Sequence, residues 1–138
     1  MKEYRFDSCE IGTKESFTVE VTESMMASFQ DISGDENPMH LNGEYAKAHG
    51  YNDRLVYGLL TSSFYSKLVG MYLPGKYCIL KSIEVFFERP VYIGDVLTIT
   101  GRIKEKDERF MQMNVKASIK NQHGKTISKA NILVGFYE

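Results

Sequence analysis

The hydrophobic pattern changes near residue 77, and this change constrains the fold more than any other feature. From Tyr77 onward, apolar residues recur at every second position with polar residues between them. Such alternation is typical of antiparallel strands with one face in the core and one in water. The apolar faces are Ile79, Ile83, Val85 and Phe87; Leu97, Ile99 and Ile103; Met111, Met113, Val115, Ala117 and Ile119; and Ala130, Ile132, Val134 and Phe136. The pattern predicts four long strands.

One residue of the last strand breaks the alternation. Ile127 is out of phase with Ala130 and the apolar residues that follow it. An extra residue in one strand of a pair produces this slip. We therefore expect a bulge near Ser128.

The first half of the chain has a different periodicity. A short strand is predicted over residues 16–21, and Thr22 can cap a helix whose apolar stripe is Met25, Met26, Phe29 and Ile32 and which ends at Gly34. A second, shorter helix lies between Asn42 and Gly50. Residues 58–70 carry a single charge, Lys67, which predicts a helix that is buried on most sides.

These elements predict a fold of class α+β. The economical packing is a curved antiparallel sheet wrapped around the central buried helix, as in a hot-dog fold. The small residues Thr61, Ser62 and Ser63 would let the sheet approach that helix closely. A single sheet leaves free edges, and pairing with a second copy is a common way to cover one. We therefore expect a homodimer.

Length and charge exclude several classes of protein. The 138 residues fit one domain, residues 1–138, with a net charge of −1 and no basic block of the kind that binds nucleic acid. No stretch is apolar enough to suggest a membrane span. Cys9 and Cys78 form no CxxC motif, and no signal segment precedes them. We expect a cytoplasmic protein with two free thiols and no metal site.

The three histidines are the first candidates for proton transfer. His49 precedes the helix-ending Gly50 and His123 lies in a turn, so both positions have structural explanations. His40 instead follows Asp35 across a segment in which Gly34 and Pro38 exclude a continuous helix. A turn there could bring the carboxylate and the imidazole to one water molecule. Alternatively, Asp35 and Asn37 could simply bond their own backbone in an Asx-type loop.

A second candidate feature is the start of the predicted buried helix at Gly58. Free backbone N–H groups and the helix dipole can stabilise an oxyanion there, and a glycine lets a substrate carbonyl approach. Gly58 could equally serve only to permit contact between the helix and the sheet.

Several segments together resemble the MaoC-like dehydratases, which include the (R)-specific enoyl-CoA hydratases. The octet Ser33-Gly-Asp-Glu-Asn-Pro-Met-His40 is similar to the family signature S-G-D-x-N-P-x-H. Residues 17–23, 58–62 and 87–95 also resemble the family, and the last of these follows the pattern F-x-x-P-V-x-x-G-D. The resemblance covers most of the chain, in the family's order.

The resemblance implies a hot-dog fold, a homodimer and a reaction. The reaction is the reversible hydration of a trans-2-enoyl thioester to an (R)-3-hydroxyacyl thioester, carried on coenzyme A or acyl carrier protein. Asp35 and His40 would activate water, and the Gly58 N–H would bind the thioester oxygen. Asn37, Tyr57 and Ser66 are expected to contact the substrate, and no cofactor is expected.

One residue departs from the family pattern, and two other functions stay open. Tyr57 stands where the family commonly has a histidine, which bears on how the thioester is positioned. A hot-dog thioesterase would hydrolyse the thioester instead of hydrating the alkene. A non-catalytic domain would bind the acyl thioester without turnover, although such a domain has no use for a water-activating pair.

Overall fold

The computed structural model describes all 138 residues, which form five strands and four α-helices. The strands are β1 (Lys14–Glu20), β2 (Cys78–Phe87), β3 (Val96–Asp107), β4 (Gln112–Lys120) and β5 (Thr126–Phe136). The helices are α1 (Glu23–Ser33), α2 (Pro38–Leu41), α3 (Gly43–Ala48) and α4 (Gly58–Lys67), and a π-helical turn (Leu68–Tyr72) continues α4. No helix has the length and apolar character needed to cross a membrane.

All five strands belong to one antiparallel sheet in the order β1-β3-β4-β5-β2. Leu97, Val115 and Ile132 on its inner face are fully buried and share one hydrophobic core with Leu60 and Tyr65 of α4. The order leaves β1 and β2 at the two edges. The predicted curved sheet around a helix is therefore confirmed.

The predicted bulge is confirmed as well. Ile119 of β4 pairs with Ser128, whereas the next residue, Lys120, pairs with Thr126. Ile127 is thus the extra residue, and it is buried together with Ser128. The Ser128 hydroxyl is satisfied by the Tyr65 hydroxyl of α4 at 2.8 Å, which fastens the helix to the bulge.

The predicted caps of α1 and α3 are confirmed, but several apolar residues expected in the core are exposed. On the predicted strands these are Ile79, Ile83, Phe87 and Met111. The Thr22 side chain accepts a hydrogen bond from the Met25 N–H, α1 ends at Gly34 with φ +71°, and the Asn42 side chain caps α3. Ile32, however, is 82% exposed. The last turn of α1 runs past the core into the exposed loop at Gly34, so a side chain in phase with the stripe there has nothing to pack against.

Two further expectations need correction. The segment after Gly34 does contain a helical turn, α2, because Asn37 caps it and Pro38 has a backbone angle suited to the first helical position. In addition, α4 is not enclosed on most sides within one chain. Leu59 is 68% exposed, and Ser63 and Ser66 also face solvent.

The π-helical turn and the sheet approach each other closely at Gly101 of β3, and the expected close approach at Thr61–Ser63 stays a prediction. A Cβ atom on Gly101 would lie 2.7 Å from Cδ2 of Leu68 and 3.1 Å from Cγ1 of Val115. Leu68 and Val115 are both fully buried, so neither can move away.

We expect Gly101→Ala to lower the free energy of unfolding by about 1–3 kcal/mol, because the added methyl group overpacks the core. Gly70→Ala is the matched control, since a Cβ atom there meets nothing within 4 Å. Urea unfolding at one protein concentration measures both variants. Equal midpoints for the two would contradict the close packing at Gly101.

Candidate active site

The N-terminus of α4 faces the loop between α1 and α2 across a cavity of about 260 Å³. Four of the six predicted site residues line it, namely Asp35, His40, Tyr57 and Gly58. Phe29, Ser33, Leu59 and Phe87 complete the wall. The turn at Gly34 therefore does bring the carboxylate and the imidazole to one small volume.

The Asx-type loop is also present. Asp35 Oδ1 accepts a hydrogen bond from the Asn37 N–H at 3.0 Å, and Asn37 Oδ1 accepts one from the Met39 N–H at 2.9 Å. Ser33 Oγ accepts from the Asp35 N–H at 3.1 Å. These bonds fix the loop around Asp35 and use only one of its carboxylate oxygens. The structural and the functional interpretation of the octet are therefore compatible.

The backbone of the segment before α4 orients His40. Its Nδ1 lies 2.9 Å from the Leu55 carbonyl oxygen. Because a carbonyl oxygen only accepts, Nδ1 carries the hydrogen, and a neutral ring then has its lone pair on Nε2. A half-buried His40 in this tautomer can take a proton from water at Nε2.

Tyr57 joins the other elements of the site to one another. Its side chain is 2% exposed, and its hydroxyl donates a hydrogen bond to the Asp35 carbonyl oxygen at 2.6 Å. Its ring packs on the His40 ring with centroids 4.2 Å apart and on Phe29 at 4.8 Å. Burial, and then the Asp35 charge, raise the pKa of the Tyr57 phenol. The phenol therefore stays a neutral hydrogen-bond donor.

Gly58 provides the polar group at the helix end. It is the first residue of α4, a position whose N–H has no acceptor inside the helix. A Cβ atom at Gly58 would lie 3.0 Å from Cε1 of Phe87. The glycine thus permits the Phe87 ring to pack over the helix N-terminus, and the N–H remains available for a ligand oxygen.

A second cavity of about 340 Å³ adjoins the first. His40, Gly58 and Phe87 line both cavities, and Glu88 and Arg89 help to line only the second. A thioester placed at Gly58 could therefore extend in two directions, with Phe87 between them.

The remaining predicted residues lie apart from this cavity. Asn37 is an exposed helix cap, and Ser66 is exposed on α4, about 12 Å along the helix from Gly58. His49 Nδ1 lies 2.7 Å from the Tyr45 carbonyl at the end of α3, and His123 lies in the turn before β5. No group of three or more His, Cys, Asp or Glu side chains is arranged to hold a metal ion.

Sequence reasoning missed two contributors. Leu55 acts through its carbonyl oxygen, which no sequence pattern reveals. Phe87 is predicted in a strand and begins the F-x-x-P-V-x-x-G-D segment, but the sequence analysis gives it no role at the site. Its place in that motif is the sequence signal for a position at the site.

Comparison with known proteins gives the same fold. The unliganded R-hydratase from Pseudomonas aeruginosa superposes with a TM-score of 0.90 at 28% sequence identity, covering 97% of this chain and 86% of that one. The structure thus defines a hot-dog protein. An aspartate and a histidine from the preceding loop and helix α2 face the N-terminus of its central helix, α4.

Sequence comparisons are consistent with that class. The model of the MaoC like domain matches residues 8–125. An (R)-specific enoyl-CoA hydratase from Rhodospirillum rubrum is 33% identical over 105 residues, which are 73% of each chain. A mitochondrial 3-hydroxyacyl-[acyl-carrier-protein] dehydratase from Arabidopsis thaliana is 37% identical over 68 residues, 49% of this chain and 40% of that one. The chain belongs to the MaoC-like domain family.

We expect Tyr57→Phe to lower the free energy of unfolding by about 1 kcal/mol, because the Asp35 carbonyl loses a buried donor. Tyr137→Phe is the matched control, since its hydroxyl donates to the Lys76 carbonyl at an exposed position where water can replace it. Urea unfolding near neutral pH measures both.

The same pair of variants has an expected pH dependence. A phenol whose pKa is raised in the folded state adds stability that is present below its unfolded pKa of about 10 and lost as the pH rises through the folded value. The difference between wild type and Tyr57→Phe should shrink above pH 10. Equal losses in Tyr57→Phe and Tyr137→Phe at neutral pH would contradict this account of Tyr57.

Proposed function

We propose that this protein catalyses the reversible hydration of a trans-2-enoyl thioester to an (R)-3-hydroxyacyl thioester. The observation that carries the proposal is the meeting of Asp35, His40 and the Gly58 N–H in one cavity. The R. rubrum and A. thaliana relatives are named for this reaction and its reverse. The activity is that of a hydro-lyase.

In the hydration direction, water attacks Cβ of the enoyl group. His40 Nε2 and the Asp35 carboxylate orient that water, and together they remove its proton as the carbon–oxygen bond forms. The electron pair of the double bond moves toward the thioester, so negative charge develops on its oxygen. Returning the proton to Cα completes the addition, and dehydration follows the same steps in reverse.

The Gly58 N–H binds the thioester oxygen, on which the negative charge develops. This N–H points from the helix N-terminus, where the dipole favours negative charge. A donor fixed before the reaction stabilises the developing oxyanion without reorganisation. Tyr57 cannot easily share this role, because its hydroxyl is already bonded to the Asp35 carbonyl.

The substrate carrier is coenzyme A or acyl carrier protein, and neither a metal nor a redox cofactor takes part. Tyr57 lines the site, whereas substrate contacts from Asn37 and Ser66 stay predictions, since neither side chain lines the cavity of a single chain. The protein acts in the cytoplasm.

Because the proposed reaction uses no metal, activity should survive treatment with EDTA. Loss of activity after this treatment would contradict the cofactor-free chemistry.

The direct test is turnover of crotonyl-CoA and of longer enoyl-CoA esters, followed at the enoyl absorbance, with the 3-hydroxy product analysed for its configuration. Release of free thiol, measured in the same reaction, would instead identify a thioesterase. If the protein binds the CoA esters and enoyl acyl carrier protein but converts none of them, it is a non-catalytic domain that binds acyl thioesters.

We expect Asp35→Asn and His40→Gln each to lower kcat by about 10²–10⁴, the usual scale for general acid–base groups. Because both groups act on one water, the double variant should lose far less than the product of the single losses. Far-UV circular dichroism and urea unfolding serve as controls for folding. Activity near wild type in either single variant would overturn its assignment.

The homodimer is part of this proposal, and strand β2 is the edge that supports it. Five large apolar side chains of β2 are exposed, namely Ile79, Leu80, Ile83, Phe86 and Phe87. An edge strand this long and apolar is a template for pairing with another chain. The accessible surface of 7832 Å² also slightly exceeds the roughly 7,300 Å² usual for a monomer of this mass. Antiparallel pairing of β2 with its own copy would cover this edge.

A charge at the centre of β2 should prevent that pairing. We expect Ile83→Lys, at a position that is 40% exposed, to sediment as a monomer at micromolar concentration. Thr18→Lys, at an exposed position on the opposite edge strand β1, should remain a dimer like the wild type. A wild-type monomer, or loss of the dimer in Thr18→Lys alone, would contradict pairing through β2.

A further inference from the structure

The outward face of the sheet carries a concentration of positive charge that the reaction does not use. Five exposed cations, Lys14, Arg102, Lys116, Lys120 and Lys129, line one shallow depression on this face together with the hydroxyl groups of Thr100, Ser118 and Thr126. We call these five side chains the basic sheet face. No carboxylate lines the depression.

The register makes this arrangement costly for the fold. Lys14 of β1 lies directly opposite Arg102 of β3, and Arg102 lies directly opposite Lys116 of β4. Like charges directly opposite each other on neighbouring strands are destabilising. None of the chain's seven ion pairs includes Lys14, Arg102, Lys116 or Lys120. A row of three unneutralised cations is better explained by binding than by stability.

The shape and the surrounding charge of the face indicate a protein partner. The face extends across four neighbouring strands, about 15 Å at the usual strand spacing, which exceeds the size of a single phosphate. Elsewhere the chain has 12 Lys and Arg against 18 Asp and Glu, a net charge of −6. That negative surface disfavours a long polyanion or an anionic membrane, whereas a small acidic protein can contact the basic sheet face alone.

The basic sheet face adjoins the candidate active site. Lys129 pairs with Glu88 at 3.5 Å, and Arg89 donates a hydrogen bond to the Thr126 carbonyl at 2.8 Å. Glu88 and Arg89 line the larger cavity at His40 and Gly58. A partner docked on this face therefore lies beside the rim through which a thioester would enter.

We propose that the basic sheet face docks an acidic carrier protein that presents the acyl thioester to the cavity at Asp35 and His40. The proposal rests on the proposed function for the identity of the cargo. The long, flexible lysine side chains can match acidic groups on a helical carrier surface, and the electrostatic attraction raises the rate of encounter.

The test compares one enoyl group on two carriers, an acidic acyl carrier protein and coenzyme A, at low salt. Arg102→Glu, and separately Lys120→Glu, should raise KM for the protein-bound ester at least tenfold and leave KM for the CoA ester unchanged. Lys47→Glu on α3 makes the same change in net charge away from the face and should behave like wild type. In addition, Arg102→Glu should move the urea midpoint upward, because it replaces two repulsive cross-strand pairs by attractive ones.

Direct titration of the acyl carrier protein onto wild type and variants separates this proposal from the proposed function. Binding of the carrier protein that weakens in Arg102→Glu and with added salt supports docking. If no ester is hydrated in the same experiments, only the proposed reaction is overturned. An equal rise of KM for both esters would show that the substitution acts on the part that the two substrates share, and would overturn the docking of a carrier protein. Unchanged carrier binding in both variants, or tighter binding of RNA or anionic vesicles than of the carrier protein, would overturn the docking proposal.

Discussion

The hydrogen bond from the Tyr57 hydroxyl to the Asp35 carbonyl holds together the parts of the chain on which the site depends. It connects the residue that precedes α4 to the loop that follows α1, and its donor is almost completely buried. The same ring packs against His40. The positions of Asp35, His40 and the Gly58 N–H are therefore not independent, because a shift of Tyr57 would move the groups at both ends of the proposed reaction.

Backbone groups do most of the remaining positioning. The Leu55 carbonyl fixes the orientation and tautomer of His40, and the Asn37 N–H holds one oxygen of Asp35. A side chain held by a backbone partner is oriented by the local fold and not by another mobile side chain. This explains how a loop of exposed polar residues can hold Asp35 and His40 at one cavity, and why the Asx-type loop is compatible with the proposed chemistry.

The parts of this structure that depend on local pattern could be predicted from the sequence. The alternation in β3 and β4, the caps at Thr22 and Asn42 and the out-of-phase Ile127 each reflect a rule that acts over a few residues. The features that sequence analysis predicted wrongly or did not predict have a different cause. The exposure of Ile32 and of Ser66 depends on which turns of each helix the core covers, and the close contact at Gly101 depends on which residue of the π-helical turn lies opposite it. Only the packed fold determines these distances.

Two walls of the cavity are still open to water in a single chain, since Leu59 is 68% exposed and Phe87 is 53% exposed. Phe87 ends the same strand whose apolar edge is unpaired, so pairing of β2 in the proposed dimer would place the second copy beside the cavity. Removing water there strengthens the interaction between the Gly58 N–H and a developing oxyanion, because the effective dielectric constant falls. An unpaired chain could keep its Asp35 and His40 in place and still stabilise that charge poorly. In the proposed dimer, association at the sheet edge and stabilisation of the oxyanion at the helix end would both depend on burying the same apolar surface.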